Sequence, residues 1–288
     1  MQVYLTFDDG IQEGTEEVLA VLKETNVRAT FFLVGIQLDY AVKKDRTQLQ
    51  TLLKDIYTHH SIGNHSYSHA NDRYADYYTN NGVQVDDDGN RRSIVLDFDK
   101  SKDTINQLLS GMLETGTVSG KYPLAGAQKM PLARLPGRNT WCVSDPQQPE
   151  GSTKPLIRYF EADSRKGAEE LYDAGYNIFG WNTEWRMTFD FHKDASSDID
   201  RYAPENIWKD RPTETWEQVR DKMLKTAMGG KVILLMHERA FRKGTDKKET
   251  NELKALINYF KETGATFKTL DEYTGAYSGP SIQNEEYH

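Results

Sequence analysis

Cysteine is almost missing from this chain: Cys142 is the only one in 288 residues. That excludes an internal disulfide and a cysteine-built metal cluster. Missing too is any apolar run near the ~20 residues that cross a bilayer, so no transmembrane segment is expected. Positive charge is scarce: 36 Lys and Arg stand against 44 Asp and Glu, a net charge of −8. This argues against a nucleic-acid partner, whose phosphates demand a basic face, and is compatible with a neutral or cationic polymer. No basic, apolar leader opens the sequence, and Met1 to Phe7 reads as a strand. An exported protein (periplasmic, cell-envelope or secreted) whose export segment is absent from this sequence is expected, with a cytoplasmic location left open. There is no internal repeat and no low-complexity tract. The oligomeric state is not legible.

What is present is an ordinary globular composition, 37% hydrophobic and 28% charged. The length suits one large α/β domain, expected over 1–288. Strand-like runs at Val3 to Phe7, Thr30 to Val34, near Leu132, Asn177 to Trp181, Lys231 to Met236 and Thr266 to Lys268 alternate with helix-like segments. One helix starts at Thr15 with Glu16 and Glu17 in its first turn; another shows Leu49, Leu52, Leu53 and Ile56 on one face. Further helices are expected from about Lys102 to Glu114, around Ala168 to Tyr172 and around Leu253 to Phe260. Two stretches, 71–95 and 186–214, read as surface insertions. The first reads as a hairpin with Asp-Asp-Gly-Asn between Val83-Gln84-Val85 and Ile94-Val95-Leu96; a calcium loop on Asp86, Asp88 and Asn90 is excluded by Arg91, where glycine is needed.

The chemistry gathers at Thr6-Phe7-Asp8-Asp9-Gly10, at the carboxyl end of the first strand, the edge where α/β proteins collect active sites. Adjacent carboxylates repel, and a cation bound by one leaves the other free as a base. His65 and His69 are four apart, so on a helical turn both imidazoles would face one way. Together with an aspartate they offer two nitrogens and an oxygen, with coordination positions left for water and substrate. Taken singly, each feature is as well explained by a turn cap or a surface pair. His59 and His60, at a helix end, are expected to be structural.

In this order the motifs resemble the polysaccharide deacetylase family, carbohydrate esterase family 4, which shares the domain of the rhizobial chitooligosaccharide deacetylases. Five short motifs between residues 6 and 237 carry the resemblance. It implies a distorted (β/α) barrel of seven or so strands. By resemblance Asp8 is the catalytic base, and Asp9, His65 and His69 hold one divalent metal, zinc or alternatively Co2+, Ni2+ or Mn2+. Arg134-Leu135-Pro136-Gly137 resembles the third motif, whose arginine pairs with the base; the family's usual form is Arg-Pro-Pro-Tyr. The Gly137 N–H is expected at the oxyanion. Trp181-Asn182-Thr183-Glu184-Trp185 resembles the fourth, with Glu184 in place of aspartate as partner of the acid and Trp185 as a wall of the acetyl pocket. Leu234-Leu235-Met236-His237-Glu238 matches the fifth, making His237 the general acid and Leu235 the lining beneath the acetyl methyl. The implied activity is removal of N-acetyl groups from an N-acetylglucosamine polymer or oligomer. Xylan O-deacetylation, hydrolysis of small cyclic amides and a catalytically silent sugar-binding protein are the alternatives. Tyr74, Tyr77, Tyr78 and Trp208 are candidate stacking platforms for sugar rings, equally explained as packing.

Overall fold

The computed structural model describes residues 1–69, 84–85, 91–114, 131–144, 157–159, 164–187, 214–242 and 248–274. The stacking candidates Tyr74, Tyr77, Tyr78 and Trp208, and Asp86, Asp88 and Asn90, lie outside them.

The first strand, β1 (Gln2–Gly10), alternates its side chains between two buried faces and is almost wholly buried. A turn at Gly14, in the left-handed region with φ 94°, starts α1 (Thr15–Thr25), which lays Val18, Leu19, Val21 and Leu22 inward. β2 (Thr30–Leu33) leads into α2 (Gly35–His59), whose helical path is broken at Asp45 (φ −158°, ψ 95°). The Asp45 carboxylate accepts the Gln48 N–H at 2.9 Å and so restarts the helix. Of the expected face, Leu49, Leu53 and Ile56 are fully buried. β3 (Ser61–Asn64) follows; β4 (Gln84–Val85) and β5 (Arg91–Arg92) pair antiparallel, so the hairpin's second arm is Arg91–Arg92 and not the expected Ile94-Val95-Leu96, which is helical.

α3 (Ile94–Glu114) starts eight residues before the expected helix, with Ile94 and Phe98 buried in its extra turns. Then come β6 (Leu132–Ala133), β7 (Trp141–Val143), β8 (Ile157–Tyr159), α4 (Arg165–Asp173), β9 (Asn177–Ile178) and β10 (Thr183–Glu184). α5 (Trp216–Thr226), which sequence reading did not anticipate, is opened by a reciprocal capping box between Thr215 and Gln218. β11 (Lys231–His237), α6 (Lys248–Glu262) and β12 (Thr266–Phe267) complete the order.

Ten strands form one curled sheet, a distorted barrel, in the order β10-β11-β1-β2-β3-β6-β9-β7-β8, with β12 beside β1. From β10 to β9 every pairing is parallel, and β7 pairs antiparallel with both β9 and β8. The expected seven or so strands correspond to the parallel run from β10 to β9; β7 and β8, three residues each, extend it at one end and leave no periodic pattern in the sequence. Val3, Leu5, Phe7, Val232, Leu234 and Met236 face the helices in the main core. Their neighbours Tyr4 and Ile233 face the other way, into a second cluster with Phe32, Trp141 and Phe179. Asp8 and His237 share that inner side, at the carboxyl end of the parallel strands.

Candidate active site

β1 and β11 run parallel with Asp8 opposite His237. In an unbroken strand Asp8 and Asp9 would point to opposite faces. Here Asp9 has φ 74°, and the β1–β2 register shifts between Asp8 and Gly10. The break turns the Asp9 carboxylate to the same site as Asp8. Asp9 Oδ1 lies 3.0 Å from His69 Nε2 and 3.5 Å from His65 Nε2, and its Oδ2 lies 3.9 Å from His237 Nε2. His65 Nε2 is also 3.6 Å from Asp8 Oδ2. Left-handed backbone at a non-glycine residue costs on the order of 1–2 kcal/mol, and it occurs here at Asp9, Ser66 and His69 together.

His65 and His69 do not share a helical turn, contrary to the sequence expectation. They leave the end of β3 in a loop, and the left-handed conformations of Ser66 and His69 bring the rings to 5.2 Å between centroids. Asp9, His65 and His69 each offer a ligand atom within 4.8 Å of the others. The His65 Nδ1–H donates to the Arg134 carbonyl at 2.8 Å, which fixes the tautomer and leaves Nε2 with its lone pair towards the site. Burial alone would push the Asp9 carboxyl up, but His69, His65 and His237 hold it well below the usual carboxylate range. A carboxylate, two imidazoles and a buried Asp9 Oδ1 without a hydrogen-bond donor fit a divalent ion.

Beside this triad Arg134 is fully buried. Its Nη1 donates to Asp8 Oδ1 and to Thr6 Oγ1, both at 2.8 Å, while Nε and Nη2 donate to the carbonyls of Phe179 and Gly180 at 3.0 and 2.9 Å. The guanidinium lies 4.3 Å from the Phe32 ring centroid and 5.7 Å from that of Trp181. Burial lowers its pKa and the adjoining Asp8 opposes that, so a salt-bridged ion pair sits under the site.

The remaining candidates divide. Leu235 is buried on the inward side, next to Thr6 in the β1–β11 register. Gly137 is exposed, with φ 63°, in the turn that follows Arg134. Glu184 pairs with Leu235 in β10–β11, but no hydrogen bond or ion pair joins it to His237, whose buried Nδ1 has no partner among the described residues. The expected acid–partner contact is therefore not made; one residue of β11 separates the two registers. Trp185 is placed away from the expected pocket wall. Its ring packs in the helix-side core at 5.6 Å from Phe241, and its Nε1–H donates to the Glu214 carbonyl at 2.9 Å. Strand alternation puts it opposite Glu184, and Trp181 is the tryptophan that reaches Arg134.

Sequence reading missed Glu238. It follows His237 directly, is fully buried, and lies against Gly10, where a Cβ would collide with its Oε1. Burial first, then Asp9 and Asp8, push its carboxyl well above the usual carboxylate range. An acidic residue abutting a motif histidine was the available signal.

Residues 1–115 match the family model described as polysaccharide deacetylase. The chain is 25% identical over 94% of its length to a chitin disaccharide deacetylase of Vibrio alginolyticus, covering 71% of that protein. A local match, 43% identical over 72 residues, joins it to a peptidoglycan-N-acetylglucosamine deacetylase of Bacillus cereus; it spans 24% of this chain and 23% of that one. The fold is similar to that of a Streptococcus mutans CE4 esterase, with a TM-score of 0.54 and 22% identity over 93% of this chain and 85% of that one. With its motif residues gathered at the carboxyl end of one curled parallel sheet, the chain has the fold of the CE4 esterases and carries, over residues 1–115, a match to the polysaccharide deacetylase family model.

Proposed function

We propose that this chain removes N-acetyl groups from an oligomer or polymer containing β-linked N-acetylglucosamine, with one divalent metal, zinc first among the candidates, held by Asp9, His65 and His69. The observation that carries the reading is the convergence of three ligand atoms beside an arginine-paired aspartate and a half-buried histidine. When bound, a divalent ion supplies a Lewis acid that polarises the amide carbonyl and lowers the pKa of water to about 7. Asp8, paired with Arg134 at 2.8 Å, takes the proton of the attacking water. The Gly137 N–H is the candidate backbone donor to the oxyanion. His237 Nε2 gives its proton to the departing amine, an otherwise poor leaving group. Leu235 presents an apolar surface for the acetyl methyl. This mechanism makes no use of a Glu184–His237 contact.

Acetate release tests it: protein loaded with zinc, and the same protein in excess chelator, are incubated with N-acetylglucosamine oligomers, acetylated xylan and a small cyclic amide. Chelator-sensitive release from the amino-sugar oligomers is expected. Release confined to xylan or to the cyclic amide would change the substrate class. No turnover of any substrate, with oligomer binding retained, would establish a silent sugar-binding protein instead.

A further inference from the structure

The loop that delivers the second metal ligand is held by a residue outside every motif. His69 and Ser66 both sit in the left-handed region, at φ 58° and 67°. Such backbone persists only where its surroundings over-determine it. Part of the restraint comes from the strand-end motif itself: Ser66 N–H donates to Asn64 Oδ1 and His69 N–H to Ser66 Oγ, both at 3.0 Å. Part comes from α2, whose first amides, Gly35 and Ile36, donate to the carbonyls of Ser66 and Tyr67 at 3.1 and 2.9 Å. Neither set holds Ser68, the residue that sets the direction of His69.

Asp97, in the first turn of α3, does. Its carboxylate accepts the Ser68 N–H at 3.2 Å on Oδ1 and 3.4 Å on Oδ2, and the Ser68 O–H at 2.9 Å on Oδ2. Its own carbonyl accepts the Tyr67 N–H at 3.2 Å. Asp97 is 7% exposed, so these bonds are sheltered from competing water. One turn further along α3, Lys100 lies 3.5 Å from the Tyr67 ring centroid, and the Tyr67 O–H donates to Asp39 of α2 at 2.6 Å. The loop is thus gripped between two helices.

We infer that Asp97 is a positioning residue for the metal centre, clamping Ser68 so that His69 Nε2 faces Asp9 and His65. The inference rests on the metal-site reading above. Outer residues that orient metal ligands typically contribute 10–100-fold in affinity. Zinc affinity is therefore measured by competition with a chromogenic chelator for wild type, Asp97→Ala, Asp97→Asn and Ser68→Ala, with melting curves of each protein in excess chelator. Asp97→Ala is expected to weaken zinc binding about 10–100-fold. Asp97→Asn, which keeps one acceptor oxygen, and Ser68→Ala, which keeps the Ser68 N–H, fall between it and wild type. Those two milder variants carry the test if Asp97→Ala does not fold. A purely structural Asp97 would lower the metal-free melting midpoint and leave zinc affinity at the wild-type value, and that result overturns the inference. Wild-type protein that takes up no zinc would overturn the metal-site reading and the inference together.

Discussion

Asp8 and Asp9 are neighbours with different work, and their variants separate the two. Asp9→Ala removes the carboxylate that His65 and His69 share, so zinc uptake and turnover should both disappear, read by elemental analysis and acetate release. Asp8→Asn leaves the three ligands untouched; zinc should stay at one per chain while turnover falls about 10²–10⁴-fold, the usual contribution of a general base. His237→Ala should damage amide hydrolysis far more than hydrolysis of an aryl acetate, whose weakly basic phenolate needs no proton; equal losses on both would remove His237 from the acid role. His60 lies outside the site and sets a pH dependence of its own. It is buried, its Nδ1 accepts the Ala29 N–H at 3.3 Å, and burial pushes its pKa down to about 4. Its unfolded counterpart protonates near 6.5. The stability it allows is therefore complete above about pH 6.5 and is lost as pH falls towards 4, by up to about 3 kcal/mol. Urea titrations of chelator-treated protein should show that slope, and His60→Gln should flatten it. At this scale the sequence was most informative where chemistry dictates residue type: Asp8, Asp9, His65, His69, Arg134 and His237 all meet. It was least informative where direction matters, because whether Glu184 or Trp185 faces the site depends on the pleat of a two-residue strand.

Among the elements, the strand ends carry more specification than the strands. The long, very apolar β1 and β11 and the amphipathic α1 and α6 were legible from period and composition. The loop after β3 was not: four-residue spacing suggested a helical turn, and left-handed residues delivered the same convergence by another route. The junction of β1 and the turn after β11 makes a testable pair. Gly10 has no room for a Cβ because Glu238 fills that space. Gly10→Ala should destabilise the protein by about 1–3 kcal/mol, an overpacking cost. Combined with Glu238→Ala, which vacates the space, the cost should be largely relieved. A double-mutant cycle by urea denaturation that gave strictly additive losses would show that the two residues do not compete for the same volume.

For the molecule as a whole, the alternation of strands and helices announced a parallel α/β architecture, whereas the antiparallel β7–β8 tail of the sheet left no trace in composition. No described helix is long and apolar enough to cross a membrane. The metal should be a stabiliser of the entire fold, since its ligands converge only when β1 and β3 are in register. Zinc at a thousand times its Kd would add about 4 kcal/mol to unfolding. The melting midpoint should therefore rise with zinc, fall in chelator, and stay fixed in Asp9→Ala under both conditions. The β1–β11 pairing has a consequence in time as well as in space. Thr6 donates to the carbonyl of Leu234, 228 positions away, and Asp8 meets His237 across the same ladder. A polypeptide emerging from the ribosome releases all three proposed metal ligands by residue 69, then Arg134, and the proposed acid His237 far later. Until then β1 lacks its neighbour on that side and offers an open edge to any other strand, the usual route to aggregation. On the proposed reading the acid is therefore made long after the metal ligands, and a chain cut short before β11 would lack both His237 and the strand that covers this side of β1.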